Sequence, residues 1–525
     1  MSALKSGTAE EDALVSRLAA EDHIPWYQKP NLRILYFLLF PTCIGVEMTS
    51  GYDSSMLNGL QAVDSWDTFF HSPRSTILGL MSAAYSLGAI LALPAVAFVN
   101  DRLGRKNAIV FGSLFMLLGA ALQTASRNFA MFVISRVILG LGIPFAIVAA
   151  SSLIAELSHP KERARIGSLF NACFFIGSIT AAAVTFGTFQ MDSNWGWRIP
   201  SLLQIAPSVL QLAFIPFLPE SPRWLIEHGR QAEAMEILQK YHGEGTRGDE
   251  FVKAEYAQIE KTLEMEREAR NTTWKQFVST PGMQKRLLVA SGLGLFTQWS
   301  GNGLTSYLLP RILDQIGIHD NRTKNIFNLS ITCWGFVNAT FFALTVSKFP
   351  RRKVYLTCVV SLFVVFTAWT ISSARYVITG SDSASHAVLA FIFLYNPAYN
   401  IGYNALTYTF LVELFPYHVR AKGITIFQWW GRGAGCFNQF VNPIGLANAS
   451  WKYYISYVIF LAFEIGFVYF LFPETSNRTL EELTFLYEGE EVRKEQARRV
   501  EEEVGAIQEK EKGSLEKAEM ETESK

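Results

Sequence analysis

The chain has little of what soluble catalysis and metal chemistry draw on. Its 525 residues include only 8 His and 5 Cys. Cys43, Cys173, Cys333, Cys358 and Cys436 lie scattered in apolar stretches, without paired spacing and without neighbouring His. No disulfide framework, CxxC or HxxxH ligand set is suggested, so neither a metal nor a cofactor is expected. No Ser, His or Cys constellation has catalytic spacing, which argues against an enzyme. Charge is sparse as well, at 18% of residues, and 46 Lys and Arg balance 46 Asp and Glu. That balance leaves no basic footprint for nucleic acid. The opening stretch, MSALKSGTAEEDALVSRLAAEDHIPWYQKP, is polar and acidic and has no apolar core. No cleavable signal peptide is expected, and membrane insertion should begin at the first span.

Apolar residues are what the chain has in abundance. They make up 50% of it, with a mean hydropathy of +0.18, too greasy for a soluble multidomain protein of this size. A transmembrane helix needs roughly 20 such residues. Windows of that kind centre near 34–56, 77–99, 108–126, 129–155, 164–187, 199–218, 287–309, 326–346, 354–374, 386–412, 424–446 and 453–472. The predicted class is an all-α polytopic membrane protein with twelve spans. Residues 1–33 form a polar segment, 34–218 a first six-span bundle, 219–285 a charged helical linker and 286–472 a second six-span bundle. Residues 473–525 form a Glu- and Lys-rich tail, expected to be disordered or loosely helical.

Loop charge sets the orientation. Arg102, Arg105 and Lys106 follow the second span, Lys161, Arg163 and Arg165 the fourth, Lys348, Arg351, Arg352 and Lys353 the eighth, and Arg420 and Lys422 the tenth. The alternate loops are poorer in basic residues, so both termini and the linker are expected in the cytoplasm. The sequons at Asn321 and Asn448 then face outside, open to glycosylation.

The two bundles read as copies. NDRLGRK at 100–106 answers SKFPRRK at 347–353, ELSHPKERA at 156–164 answers ELFPYHVRA at 413–421, and PESPR at 219–223 answers PETSN at 473–477. Duplication with a site between the halves is what a rocking, alternating-access transporter needs. Taken singly, each basic cluster could serve topology alone. Its repeated pairing with Glu156 and Glu413 points to ion pairs that close the cytoplasmic side. The gating candidates are Asp101, Arg102, Arg105, Glu156, Arg163, Glu220 and Arg223 in the first half, with Arg351, Glu413, Arg420 and Glu474 in the second.

These motifs resemble the sugar porters of the major facilitator superfamily over roughly residues 34–485. NDRLGRK is similar to the superfamily's signature loop and SRVILGLG at 135–142 to its fourth-helix R-x-x-x-G-x-G. PESPRWLIEHGRQAEA at 219–234 and PETSNRTLEEL at 473–483 are similar to the two sugar-porter signatures. FTQWSGNGLTSYLLP at 296–310 and YNIGYNALTYTFLVELFPYHVRAKG at 399–423 look most like fungal lactose-permease-like and hexose transporters. The resemblance implies the major facilitator fold and a sugar substrate, a hexose, pentose or disaccharide.

Sugar hydroxyls call for neutral donors and acceptors in an apolar cavity. By resemblance, Asn171 stands at the family's fifth-helix Gln, Gln298 at the second Gln of its seventh-helix pair, Tyr307 at the first Tyr of a Tyr-Tyr pair, Tyr408 at the tenth-helix aromatic and Asn338 at the eighth-helix Asn. Asn302, Gln428 and Asn438 are further candidates, with Asn442 beside them. An intramembrane amide serves equally well as glue between helices. Thr297 replaces the family's first Gln, Gly303 its usual Asn, and the G-P-x-P-W pattern around Tyr408 has lost both prolines and its Trp. The pocket is therefore built differently from that of a typical glucose carrier. Trp299, Trp429 and Trp430 fit packing better than stacking on a sugar. Arg432 could orient a substrate or pair with Glu464.

Asp53, in GYD, resembles a first-helix family motif, and Arg136 is the fourth-helix Arg. The resemblance makes them neighbours, and their making and breaking contact would couple a proton to conformation. A permanent structural pair is the bland reading. Glu47 has no family counterpart and is a second candidate for proton handling. The expectation is a plasma-membrane sugar:proton symporter. Its rivals are a facilitative uniporter and a sugar sensor of the same fold, the latter disfavoured by the short tail.

Overall fold

The computed structural model describes residues 18, 23–243, 248–270, 274–476 and 487. Among these residues the secondary structure is helical throughout. Twelve spans follow one another as the hydropathy windows require. The first half holds Pro30–Leu60, Ser75–Leu103, Arg105–Thr124, Phe129–Leu157, Arg163–Thr188 and Trp195–Phe217. In the second half the seventh span is Pro281–Trp299 continued by Asn302–Tyr307, and the eighth and ninth are Asn321–Thr345 and Arg351–Thr379. The tenth is Asp382–Tyr399 with its continuation Thr407–Leu414, and Tyr417–Ala449 and Tyr453–Leu471 complete the set. Between the halves lie the linker helices Pro222–Glu227, Gln231–Tyr241, Gly248–Arg270 and Gln276–Ser279. Beyond residue 476, residue 487 apart, the Glu- and Lys-rich tail expected to be disordered falls outside the described residues, as does most of the polar segment 1–33.

Local chemistry sets where the spans start. Asn128 accepts from Met131 N (2.9 Å), Thr280 from Met283 N (3.2 Å) and Asp320 from Thr323 N (2.8 Å), each oxygen meeting an amide that a helix start leaves unpaired. The third span follows Gly104, whose φ of +85° suits glycine. A Cβ there would also stand 2.6 Å from a Glu220 oxygen. Three spans are interrupted. The first contains a π-turn at Phe40–Ile44 around Pro41, and the tenth another at Asn400–Asn404 just beyond Pro397. The seventh breaks at Gly301, with φ +100°. Broken helices are tolerated at membrane depth where they line a cavity or are buried in protein.

Small residues let the helices approach closely. Cβ atoms added at Gly88 and Gly140 would lie 2.1 and 2.0 Å from Val137 and Tyr85 carbonyl oxygens, so the second and fourth spans meet backbone to backbone. The halves join through the second span against the eleventh and the fifth against the eighth.

Candidate functional site

Asp53 and Arg136 form a two-pronged ion pair, Nη1 to Oδ1 and Nη2 to Oδ2, both at 3.0 Å. The two side chains are 1% and 0% exposed. Gln204, on the sixth span, donates Nε2 to Asp53 Oδ1 at 3.0 Å, and the guanidinium lies 5.8 Å from the Tyr85 ring centre. In a low-dielectric interior such a pair survives because the fork matches the carboxylate and the amide fills a remaining lone pair. The sequence reading missed Gln204. Its signal was an amide inside the apolar window 199–218.

The structure separates the sugar candidates into small groups. Asn438 donates to the Gln298 carbonyl (2.8 Å) and accepts from Tyr457 (2.8 Å), which also bonds Asn442 (2.5 Å), tying the seventh, eleventh and twelfth spans together. Asn338 donates to the Trp334 carbonyl (2.5 Å) and accepts from Asn400 on the tenth span. These two amides are occupied within the second half. The Gln298 side chain lies against Gly435, and Asn302 accepts from Ser306 (3.1 Å). Tyr307 offers its carbonyl to Gln61, just beyond the first span, at 2.6 Å. Tyr408 accepts from Gln428 at 2.7 Å. Although 52% exposed, Tyr408 lies within electrostatic reach of Arg432 and of Glu47, so it faces the cleft between the halves. Asn171 is on the fifth span, and its side chain lies outside the described residues. Trp299 is a packing residue, donating to the Ala434 carbonyl (3.1 Å) and meeting Phe437 and Phe460.

A pairing of Arg432 with Glu464 does not occur. Glu464 is fully buried and bound instead by Ser300 Oγ (3.0 and 3.1 Å) and Tyr403 Oη (2.9 Å). The seventh, tenth and twelfth spans thus build a polar centre at the places that Asp53, Arg136 and Gln204 hold on the first, fourth and sixth.

A second set of polar residues, also missed in the sequence, joins the halves at the end away from the basic loops. Asn58 donates to the Thr305 carbonyl (3.3 Å) and to Asn328 (3.0 Å), and accepts from Leu309 N (3.1 Å). Arg311 meets Asp67 (3.4 Å), Asn321 donates to Asp64 (2.7 Å), and Ser86 donates to Gln439 (2.7 Å). A cavity of about 70 Å³ opens beside Asn58, lined also by Ser54, Ser55, Ser178, Thr305 and Asn396. Polar residues spaced along opposing spans were the available signal.

At the basic end each half carries the same clasp. Arg105 meets Glu156 at 3.3 Å and Arg351 meets Glu413 at 3.3 Å. Glu220 accepts from the Arg105 and Lys106 amides (3.1 and 3.2 Å), and Glu474 from those of Arg351 and Arg352 (2.9 and 3.2 Å). The next residue in each motif closes the loop, Ser221 donating to Glu156 and Thr475 to Glu413. Carboxylates at helix N-termini are favoured by the unpaired amides and the helix dipole. Burial pushes the Glu220 carboxyl up from its ordinary range, and the amides of Ser221, Lys106 and Arg105 only partly oppose it. Of the other gating candidates, Arg163 reaches Glu255 of the linker at 4.0 Å, Arg420 donates to the Phe415 carbonyl (3.4 Å), and Arg102 lies over Phe98. Asp101 contributes its carbonyl, to Trp224, and Arg223 opens the linker helix after Pro222. Both clasps bind spans within one half.

The family model described as "Sugar (and other) transporter" matches residues 38–487. The chain is 29% identical over 451 residues to the MFS-type transporter oryC of Aspergillus oryzae, across 83% of this chain and 82% of that protein. It is 27% identical over 452 residues to the arabinose-proton symporter of Bacillus subtilis, across 83% and 92%. Its fold matches the inward-open xylose transporter XylE from E. coli with a TM-score of 0.72, at 21% identity, over 86% of this chain and 100% of that one. The duplicated clasps, the twelve spans and a family match over most of the length agree: this multi-pass membrane protein belongs to the sugar transporter family of the major facilitator superfamily.

Proposed function

We propose that the chain is a sugar:proton symporter of the plasma membrane, carrying a mono- or disaccharide by alternating access, with both termini cytoplasmic. The buried Asp53–Arg136–Gln204 centre carries this reading. A carboxylate held by Arg stays ionised, and one parted from it in apolar surroundings takes up a proton. Conformational change that alternates the two environments couples proton movement to sugar movement. With the basic loops in the cytoplasm, the seam around Asn58 is the extracellular gate, closed in an inward-facing state. One relative is named as an arabinose-proton symporter, which fits the same scheme.

Asp53→Asn in vesicles tests the coupling. Wild-type uptake should collapse with a protonophore. The Asn variant should keep sugar counterflow but lose accumulation above equilibrium. Accumulation that survives the substitution, or wild-type uptake indifferent to the protonophore, favours a facilitative uniporter with a structural ion pair. A folded chain that binds sugar without moving it would be a sensor.

A further inference from the structure

Five charged groups stand in the middle of the spans; two of them cancel as Asp53–Arg136, and Glu464 is held by Ser300 and Tyr403. The other two are Glu47, on the first span, and Arg432, on the eleventh. Arg432 shares a helix face with Gln428, one turn before it, and with Cys436 and Gln439, which reach Ala83 and Ser86 of the second span. That face meets the first half. Arg432 lies within electrostatic reach of Glu47, Tyr85, Tyr307 and Tyr408, residues on the first, second, seventh and tenth spans. Its guanidinium is therefore at the convergence of both halves.

Among the described residues, Arg432 makes no hydrogen bond, and no carboxylate comes within 4.0 Å of it. Asp53 is satisfied by Arg136 and Gln204, and Glu464 by Ser300 and Tyr403. A cation in a membrane span is costly and persists where it has a partner or a task. A guanidinium offers five donors in a planar fork suited to a carboxylate. The buried Tyr85 hydroxyl lies within its reach.

We propose that Arg432 is an anion anchor in the central cleft, and that the substrate is a sugar acid, a hydroxylated monocarboxylate of the aldonate or uronate class. This rests on the transport reading above and narrows its substrate. Gln428 and Tyr408, hydrogen-bonded one turn away, supply neutral groups for the hydroxyls while the guanidinium takes the carboxylate. Glu47 supplies the counter-charge of the empty cleft.

The full-length protein in proteoliposomes decides the matter, with counterflow of labelled D-galacturonate, D-gluconate, D-xylose and D-glucose. Wild type should exchange one of the two acids, and that acid should inhibit any uptake of the neutral sugars. Arg432→Gln should raise the KM for the acid by at least about tenfold, the worth of a lost charge-assisted hydrogen bond. Neutral-sugar KM should change by less than about twofold, and Arg432→Lys should recover part of the loss. Exchange of neutral sugars alone, unaffected by either acid, overturns the anchor and leaves the transport reading standing; that arm needs no variant to fold. Equal losses for acids and neutral sugars in Arg432→Gln also overturn it, making Arg432 a gate. If no sugar of either class is exchanged, the transport reading itself falls.

Discussion

An intramembrane amide has two ways to lower its free energy, by bonding a neighbouring helix or by facing a cavity, and Asn438 and Gln298 illustrate them. Both atoms of the Asn438 amide are engaged, one by the Gln298 carbonyl and one by Tyr457. Asn438→Ala should therefore lower thermal stability in detergent by about 1 kcal/mol, the usual worth of an interhelical hydrogen bond, while leaving KM nearly unchanged. The Gln298 side chain lies beside Gly435, where the seventh span faces the eleventh. Gln298→Ala should leave stability nearly unchanged and raise KM about fivefold to tenfold, through loss of one hydroxyl partner. The reverse outcome, a stability loss at position 298 and a KM effect at 438, would exchange the two roles. Residue type announced these amides as functional or structural candidates. It could not divide them, because the division depends on which face of the helix meets Tyr457, and Tyr457 lies on a span whose approach only the fold determines.

Helices and the motifs at their ends were the most legible level. Each apolar window became a span, since length and hydropathy leave the backbone no other way to satisfy itself in lipid. The repeated loops became matching clasps because the same Glu, Arg and hydroxyl types recur at the same offsets. The linker could be read as helical, but not its docking. His242 donates Nδ1 to Glu255 at 2.7 Å and Nε2 to the Leu157 carbonyl at 3.1 Å, fastening Gly248–Arg270 to the end of the fourth span. Burial alone would pull the His242 pKa down, but the Glu255 carboxylate and the two hydrogen bonds outweigh it, and the net shift is upward. Burial likewise pushes Glu255 up, and the His242 charge overrides it, so Glu255 is held below its ordinary range. The raised His contributes stability that is complete below its ordinary 6.5 and fades as pH climbs through the folded value. The lowered Glu contributes above its ordinary 4.5 and fails only as pH falls through its own folded value. Arg163 and His159 also face this pair, and the Arg163 charge tempers the upward shift of His242. Docking should be firmest in the mildly acid range and loosen in alkali. Hydrogen exchange in 248–270 should accelerate between mildly acid and alkaline buffer, after correction for intrinsic rates, and His242→Gln should flatten that dependence. A pH response unchanged in His242→Gln would place the titrating group elsewhere.

The relation between the halves belongs to the whole molecule and was the least legible. Asn58 and Asn328 stand far apart in sequence, and nothing local reveals that they meet at 3.0 Å across the seam. The seam holds the halves together through a few polar contacts, Asn58 with Thr305, Leu309 and Asn328, Gln61 with Tyr307, and Arg311 with Asp67. Alternating access requires two arrangements separated by only a few kcal/mol, so a seal of this size is enough to set the balance. Asn58→Ala removes three bonds and leaves the Leu309 amide and the Asn328 side chain seeking water, at a cost of about 1–3 kcal/mol to the closed seam. The ratio of open to closed forms should then rise by about 5-fold to 150-fold. Ser55 is a suitable reporter, since it is buried beside the cavity and its hydroxyl has no hydrogen-bond partner, so Ser55→Cys should perturb the protein little. Adding Asn58→Ala to Ser55→Cys should accelerate its modification by a membrane-impermeant thiol reagent on the face opposite the basic loops, against a parent without Ser55→Cys to subtract the exposed Cys333. Sugar counterflow should persist, because the seam must open in every cycle. Unchanged labelling would mean that the second and eleventh spans, packed backbone to backbone where a Cβ on Gly79 would lie 2.5 Å from the Phe440 carbonyl oxygen, hold the gate without help from the polar seam.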